Sequence, residues 1–71
     1  MAERVNGLRE WRERRGLNLE EVGDLLGVSA SYLSRLERGE RSLRPLDRVR
    51  AARLLGARVR ELFPATESRQ K

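Results

Sequence analysis

The sequence has no cysteine and no histidine. Disulfide staples are therefore excluded, as are the usual zinc, iron and copper ligand sets and any thiol- or imidazole-based nucleophile. Aromatic residues are scarce: one Trp, one Tyr and one Phe, too few to line a base-stacking platform for RNA. No apolar run exceeds three residues, and Met1 to Gly7 carries no apolar leader segment, so neither a membrane span nor a targeting peptide is read and a soluble, cytoplasmic chain is expected. What remains is 71 residues, 38% apolar and 38% charged, enough for one small domain. Such a chain buries only about 60% of its unfolded surface, and a margin of about 3–5 kcal/mol is expected. The expectation is a non-enzymatic protein without metal or cofactor.

Charge carries more information than size. Sixteen basic residues face eleven acidic ones for a net charge of +5, and all but one of the bases are arginine, the side chain whose planar fork best matches phosphate and guanine. The excess is unevenly placed. Residues 1–28 hold five bases and six acids, residues 29–58 eight and three, and residues 59–71 three and two. A cationic middle of this kind points to a polyanion.

Apolar residues recur at helical spacing in five short blocks, with no alternation long enough for a strand. The spacing predicts helix one near Arg4–Arg15, helix two near Leu19–Leu26, helix three near Ala30–Arg38, helix four near Leu46–Leu55 and a short helix five over Arg58–Phe63. Gly16, Gly27, Gly39 and Gly56 stand where four of these helices must stop. Asn18 with Glu21 reads as a capping box, with Leu17 and Val22 as its hydrophobic staple. Ser29 reads as the next N-cap, with Val28 and Leu33 beside it. Pro45 lies before helix four and Pro64 closes helix five. The whole is one all-α, compact five-helix domain over residues 1–64, followed by a frayed C-terminal tail over 65–71.

Only Gly27, Val28 and Ser29 separate helices two and three, which forces a steep crossing. Gly23, in the middle of helix two, provides the small residue such a crossing needs, despite costing about 1 kcal/mol relative to Ala. Val22, Leu26, Val28, Leu33 and Leu36 then face inward, leaving Ala30, Ser31, Ser34, Arg35 and Arg38 outward on helix three. The segment Gly16 to Gly39, with its core LGVSxSYLSRLERG, resembles the Cro/repressor-type helix-turn-helix family, also called the xenobiotic-response-element family of regulators. The likeness extends to LRxxR at Leu8–Arg12 and LLGxxxxELF at Leu54–Phe63.

This resemblance implies a repressor-like regulator, bacterial or phage in type, that binds double-stranded DNA sequence-specifically with helix three, residues 30–38, in the major groove. Ala30, Ser31, Ser34 and Arg35 match the family's base-facing positions, and Arg35 alone is long enough for a bidentate contact to guanine. Asn18, Ser29, Tyr32, Arg38, Arg41 and Arg44 match positions that touch phosphate or reach toward the minor groove. The chain departs from the family at Leu19, where a polar residue such as Gln is usual, and at Ala30, which replaces a frequent polar reader. No cofactor or small-molecule ligand is implied.

Other residues read as structural. The resemblance implies an ion pair between Arg12 and Glu37 behind the reading face. Trp11 belongs to core or rim, and Tyr32 either packs or meets a phosphate. Arg48, Arg50 and Arg53 form a solvated face, and Glu20, Glu21 and Asp24 serve the dipole of helix two. Val59, Leu62 and Phe63 either close the core or form a self-association patch. A homodimer on a two-fold operator is expected, because one reading head discriminates by only a few kcal/mol. Two rival readings are an antitoxin-like autoregulator and a protein-interaction adapter that keeps the fold without reading DNA.

Overall fold

A computed structural model describes residues 6–64. In chain order it contains α1 (Leu8–Arg14), α2 (Leu19–Leu26), α3 (Ala30–Glu37), α4 (Pro45–Leu55) and α5 (Val59–Leu62), with no strand among the described residues. The expected tail over 65–71 lies outside the described residues. One core cluster is built by Leu8 and Trp11 of α1, Val22 of α2, Leu33 and Leu36 of α3, Ala52 and Leu55 of α4, and Leu62 and Phe63 at α5. Every helix contributes to it, which is how a chain without covalent staples closes on itself.

Local chemistry sets most of the boundaries. At the start of α2, Asn18 Oδ1 accepts from the Glu21 amide and Glu21 Oε1 accepts from the Asn18 amide, both at 2.8 Å, so the capping box is complete. Glu20 and Glu21 occupy its first turn, whereas Asp24 lies beyond that turn. At α3, Ser29 Oγ accepts from the Tyr32 amide at 3.0 Å. The four predicted stop glycines all have positive φ, between 71° and 81°. Pro45 is the first residue of α4 and not the one preceding it, a position where its missing N–H costs nothing.

Helix one starts later than its periodicity suggests. Asn6 is not helical, and α1 begins at Leu8. Two tertiary bonds take the preceding residues out of the helix: the Gly7 amide donates to the Leu62 carbonyl at 2.6 Å, and Asn6 Nδ2 donates to the Leu36 carbonyl at 2.9 Å. Asn6 Oδ1 meanwhile accepts from the Leu8 amide at 3.1 Å, capping α1 from two residues upstream. Gly7 is buried against the α5 backbone, where a side chain would run into the Glu61 carbonyl.

Leu62 and Phe63 are 0% and 4% exposed. They close the monomer's own core, so they are not available as a self-association patch; Val59 is half-buried and packs against the same cluster. Trp11 is core as well, with the Arg15 guanidinium 4.8 Å from its ring centroid.

The decisive packing lies between α2 and α3. A Cβ added at Gly23 would stand 2.6 Å from the Val28 carbonyl oxygen, a backbone atom that cannot swing aside. The Val28 amide in turn donates to the Gly23 carbonyl at 2.8 Å. Gly23→Ala gains about 1 kcal/mol of helix propensity but must push the corner apart, and a net loss of about 1–3 kcal/mol is expected. Urea unfolding followed by the fluorescence of Trp11 measures it; an unchanged or raised midpoint would contradict the close approach.

Candidate nucleic-acid interface

The eight residues of α3 bury Leu33 and Leu36, pack Tyr32 against the core and hold Glu37 behind the helix. Ser31 and Arg35 are exposed, and Ala30 and Ser34 are half-buried at the edge of the same surface. The helix is about 12 Å long at 1.5 Å per residue, comparable to the width of the DNA major groove. Its start is held by the Gly23–Val28 contact and its far end by an ion pair.

That ion pair joins Arg12 of α1 to Glu37. Arg12 Nε and Nη2 donate to the two Glu37 carboxylate oxygens at 2.7 and 3.2 Å, and Arg12 Nη1 donates to the Leu17 carbonyl at 3.0 Å. The side chains are only 14% and 6% exposed. Hydrogen bonding to Glu37 holds the Arg12 guanidinium above its ordinary value, against the opposing effect of burial. One arginine thus ties α1, the turn before α2 and α3 together. It also neutralises the only acidic residue within α3, so the outward surface of that helix carries no uncompensated negative charge.

Arg35, Arg38, Arg41 and Arg44 are all exposed along α3 and the loop that follows. They are not equivalent. Arg38 Nε and Nη2 donate to the Glu40 carboxylate at 2.9 and 3.2 Å, and Arg38 Nη1 donates to Ser34 Oγ at 2.6 Å. The Arg38 guanidinium holds the Glu40 carboxyl below the usual carboxylate range, and Glu40 raises Arg38 in return. Two candidate contact residues, Ser34 and Arg38, are thus engaged with each other. Glu40 was missed by pattern reading because a pair two residues apart across Gly39 belongs to a turn and not to a helix face.

The remaining candidates are dispersed. Asn18 is exposed, but its carbonyl oxygen is committed to the capping box. Ser29 is committed likewise to its cap. Tyr32 is half-buried against the core and lines a groove of about 500 Å³ between α2–α3 and α4, so its ring packs as well as bordering the candidate surface. Arg50 and Arg53 are exposed on α4, and Arg48 is half-buried. Among the described residues no cluster of side chains suits a metal ion, and no helix is long and apolar enough to cross a membrane.

Two short helices crossing at a three-residue turn, with the second turned outward, find their counterpart in a family model described as helix-turn-helix domain, which matches residues 7–64. The chain belongs to the helix-turn-helix domain family. No curated protein and no solved structure matches the chain significantly. Within the helix-turn-helix, α2 is the first helix of the motif and α3 the second, and the match runs on through α5, which closes the core beneath them.

Glu37→Gln should cost about 3 kcal/mol, because it leaves the shielded Arg12 guanidinium without a countercharge. Breaking the exposed Arg9–Glu13 pair, at 3.0 Å on α1, should cost less than about 0.5 kcal/mol. Thermal unfolding of the two variants checks this, and equal losses would show that the Arg12–Glu37 pair holds no more than a surface contact does.

Proposed function

We propose that this helix-turn-helix protein is a sequence-specific double-stranded-DNA-binding regulator of the Cro/repressor type, with α3 as its recognition helix. The observation that carries the reading is the outward surface of α3: Leu33 and Leu36 are buried, its one acid is neutralised from behind by Arg12, and Arg35 stands exposed with no side-chain hydrogen bond or ion pair among the described residues. Ser31 and Arg35 are the best placed to reach base edges. Ala30 would offer its methyl group to thymine, and Ser34 would join once Arg38 turns to a phosphate.

Arg38, Arg41 and Arg44 supply affinity through the backbone, with the amide groups at the starts of α2 and α3 beside Asn18, Ser29 and Tyr32. Leu19 is half-buried against the core, in keeping with an apolar residue where the family usually has a polar one. We read residues 1–64 as the domain, and the family match over residues 7–64 supports that reading. The protein would work as a homodimer on a two-fold operator, as a repressor that blocks access to DNA, in the cytoplasm and without a catalytic step. The exposed arginine row favours this over an adapter that has stopped reading DNA, since an adapter has no need of four solvated guanidinium groups beside one helix.

Fluorescence anisotropy on a site selected from random duplexes tests the reading. Arg35→Ala should cost about 1–3 kcal/mol on the selected site and much less on random duplex. Equal losses on both would make Arg35 a phosphate contact. Affinity should fall with salt at a log–log slope of about −0.9 per neutralised phosphate. Glu40→Gln releases Arg38 and removes a negative charge from the surface. It should tighten binding to any duplex and steepen the salt slope by about one; a weaker complex would show that Glu40 holds Arg38 in its binding geometry.

A further inference from the structure

Among the described residues Arg12 and Arg48 are the half-buried arginines; the others are exposed. Shielding a charge from water is costly unless a countercharge answers it. Arg12 is answered by Glu37. Arg48, in the first half of α4, has no ion pair and no side-chain hydrogen bond to any described residue. It lines a pocket of about 130 Å³ beside the loop from α3 to α4, whose walls include Arg41, Ser42, Gly39, Asn6 and Phe63. No acid is among the lining residues. The nearby carboxylates are engaged or turned elsewhere: Glu40 is bonded to Arg38, Glu61 is paired with Arg14, and Asp47 lines the larger groove. Asn6 is a wall and not a donor, since its amide group is spent on the Leu36 carbonyl and the Leu8 amide. The donors left are two guanidinium groups and the Ser42 hydroxyl, which has no partner among the described residues.

We infer that this pocket is an oxyanion site that takes one phosphate group, with Arg41 and Arg48 as its cationic walls and Ser42 as a neutral donor. Two like charges bordering so small a space repel each other, and an anion between them replaces that repulsion with two attractions. Guanidinium forks match phosphate oxygens in charge and spacing. The donors come from two segments, the loop and α4, which suits a tetrahedral anion with oxygens in several directions better than a carboxylate with two in one plane. The volume is well below the roughly 300 Å³ at which sites for drug-sized ligands begin. Ser31, Ser34 and Arg35 do not line the pocket, so it is separate from the proposed reading surface. The phosphate comes either from a free anion or from a duplex backbone passing the α3–α4 loop; only the second source rests on the DNA reading.

Inorganic phosphate, exchanged for chloride at constant ionic strength and pH 7, tests the site on the full chain without DNA. Saturable amide shifts at Ser42 and Arg48 give the dissociation constant, and at ten times that concentration the unfolding midpoint should rise by about 5 °C or more. Phosphate also stabilises proteins generally by exclusion from their surfaces. Arg48→Gln keeps that general effect and should lose the saturable shifts and most of the rise; Arg41→Gln, at an exposed position, should give the same loss. Arg48→Lys, a charge without a fork, should retain part of the response. In a second arm, fluorescence anisotropy on random duplex, Arg48→Gln should flatten the log–log salt slope by about one if the duplex supplies the phosphate, and leave it unchanged if the ligand is the free anion. A response in either arm that these variants remove supports the site and identifies the source. Variants that respond as the wild type does in both arms, or a wild type silent in both, overturn it. A chain that binds phosphate but no duplex defeats the DNA reading and leaves the site intact, so the two failures are distinguishable.

Discussion

The contact between the α carbon of Gly23 and the carbonyl of Val28 sets the geometry of the whole molecule. A helix that must cross its successor after three residues has no room for a side chain at the crossing: an added Cβ would lie 2.6 Å from the Val28 carbonyl oxygen. With the corner closed, Val22 and Leu33 reach the same core, and Ser31 and Arg35 stand exposed on the opposite side of α3. The projection of the proposed recognition helix therefore follows from a packing constraint on the helix before it.

Electrostatics completes what the corner begins. A short helix with both Arg35 and Glu37 would show water a mixed face if both charges lay in front. Here the glutamate is drawn behind the helix by a fork-to-carboxylate pair and the arginine is left in front. The same guanidinium binds the Leu17 carbonyl, so the pair also fixes how the turn before α2 meets α1. A part-buried pair of this type is a device for arrangement more than for stability, and its effect is to keep the one carboxylate of α3 off the outward side of that helix. At the other end of the chain, the Gly7 and Asn6 bonds to the Leu62 and Leu36 carbonyls perform the closing task that a disulfide performs in other domains of this size.

Most of this plan can be read from the residues, because its signals are local. A left-handed glycine, an Asn or Ser three residues before an amide it can cap, and a glycine in mid-helix each state their purpose within a few positions. Partners distant in sequence are harder to read. The start of α1 depends on Leu62, more than fifty residues away, and no periodicity reveals that. Whether Leu62 and Phe63 were core or surface depended on the space beneath α1, which a pattern of apolar residues cannot measure. The Arg38–Glu40 pair belongs to a turn whose shape is fixed by Gly39. The apolar outer face of α4 was hidden by its arginines, which read as a solvated surface until the fold showed Leu46, Val49 and Leu54 lying among them.

As a recognition helix, α3 would meet the DNA bases with its outward side and no other surface would. Backbone amide shifts of isotope-labelled protein, followed during titration with a selected duplex at fixed salt, test it directly. The largest changes are expected at Ser31, Ser34 and Arg35, smaller ones through Arg38 to Arg44, and none in α5. Changes concentrated in α4 or α5, with α3 silent, would contradict it.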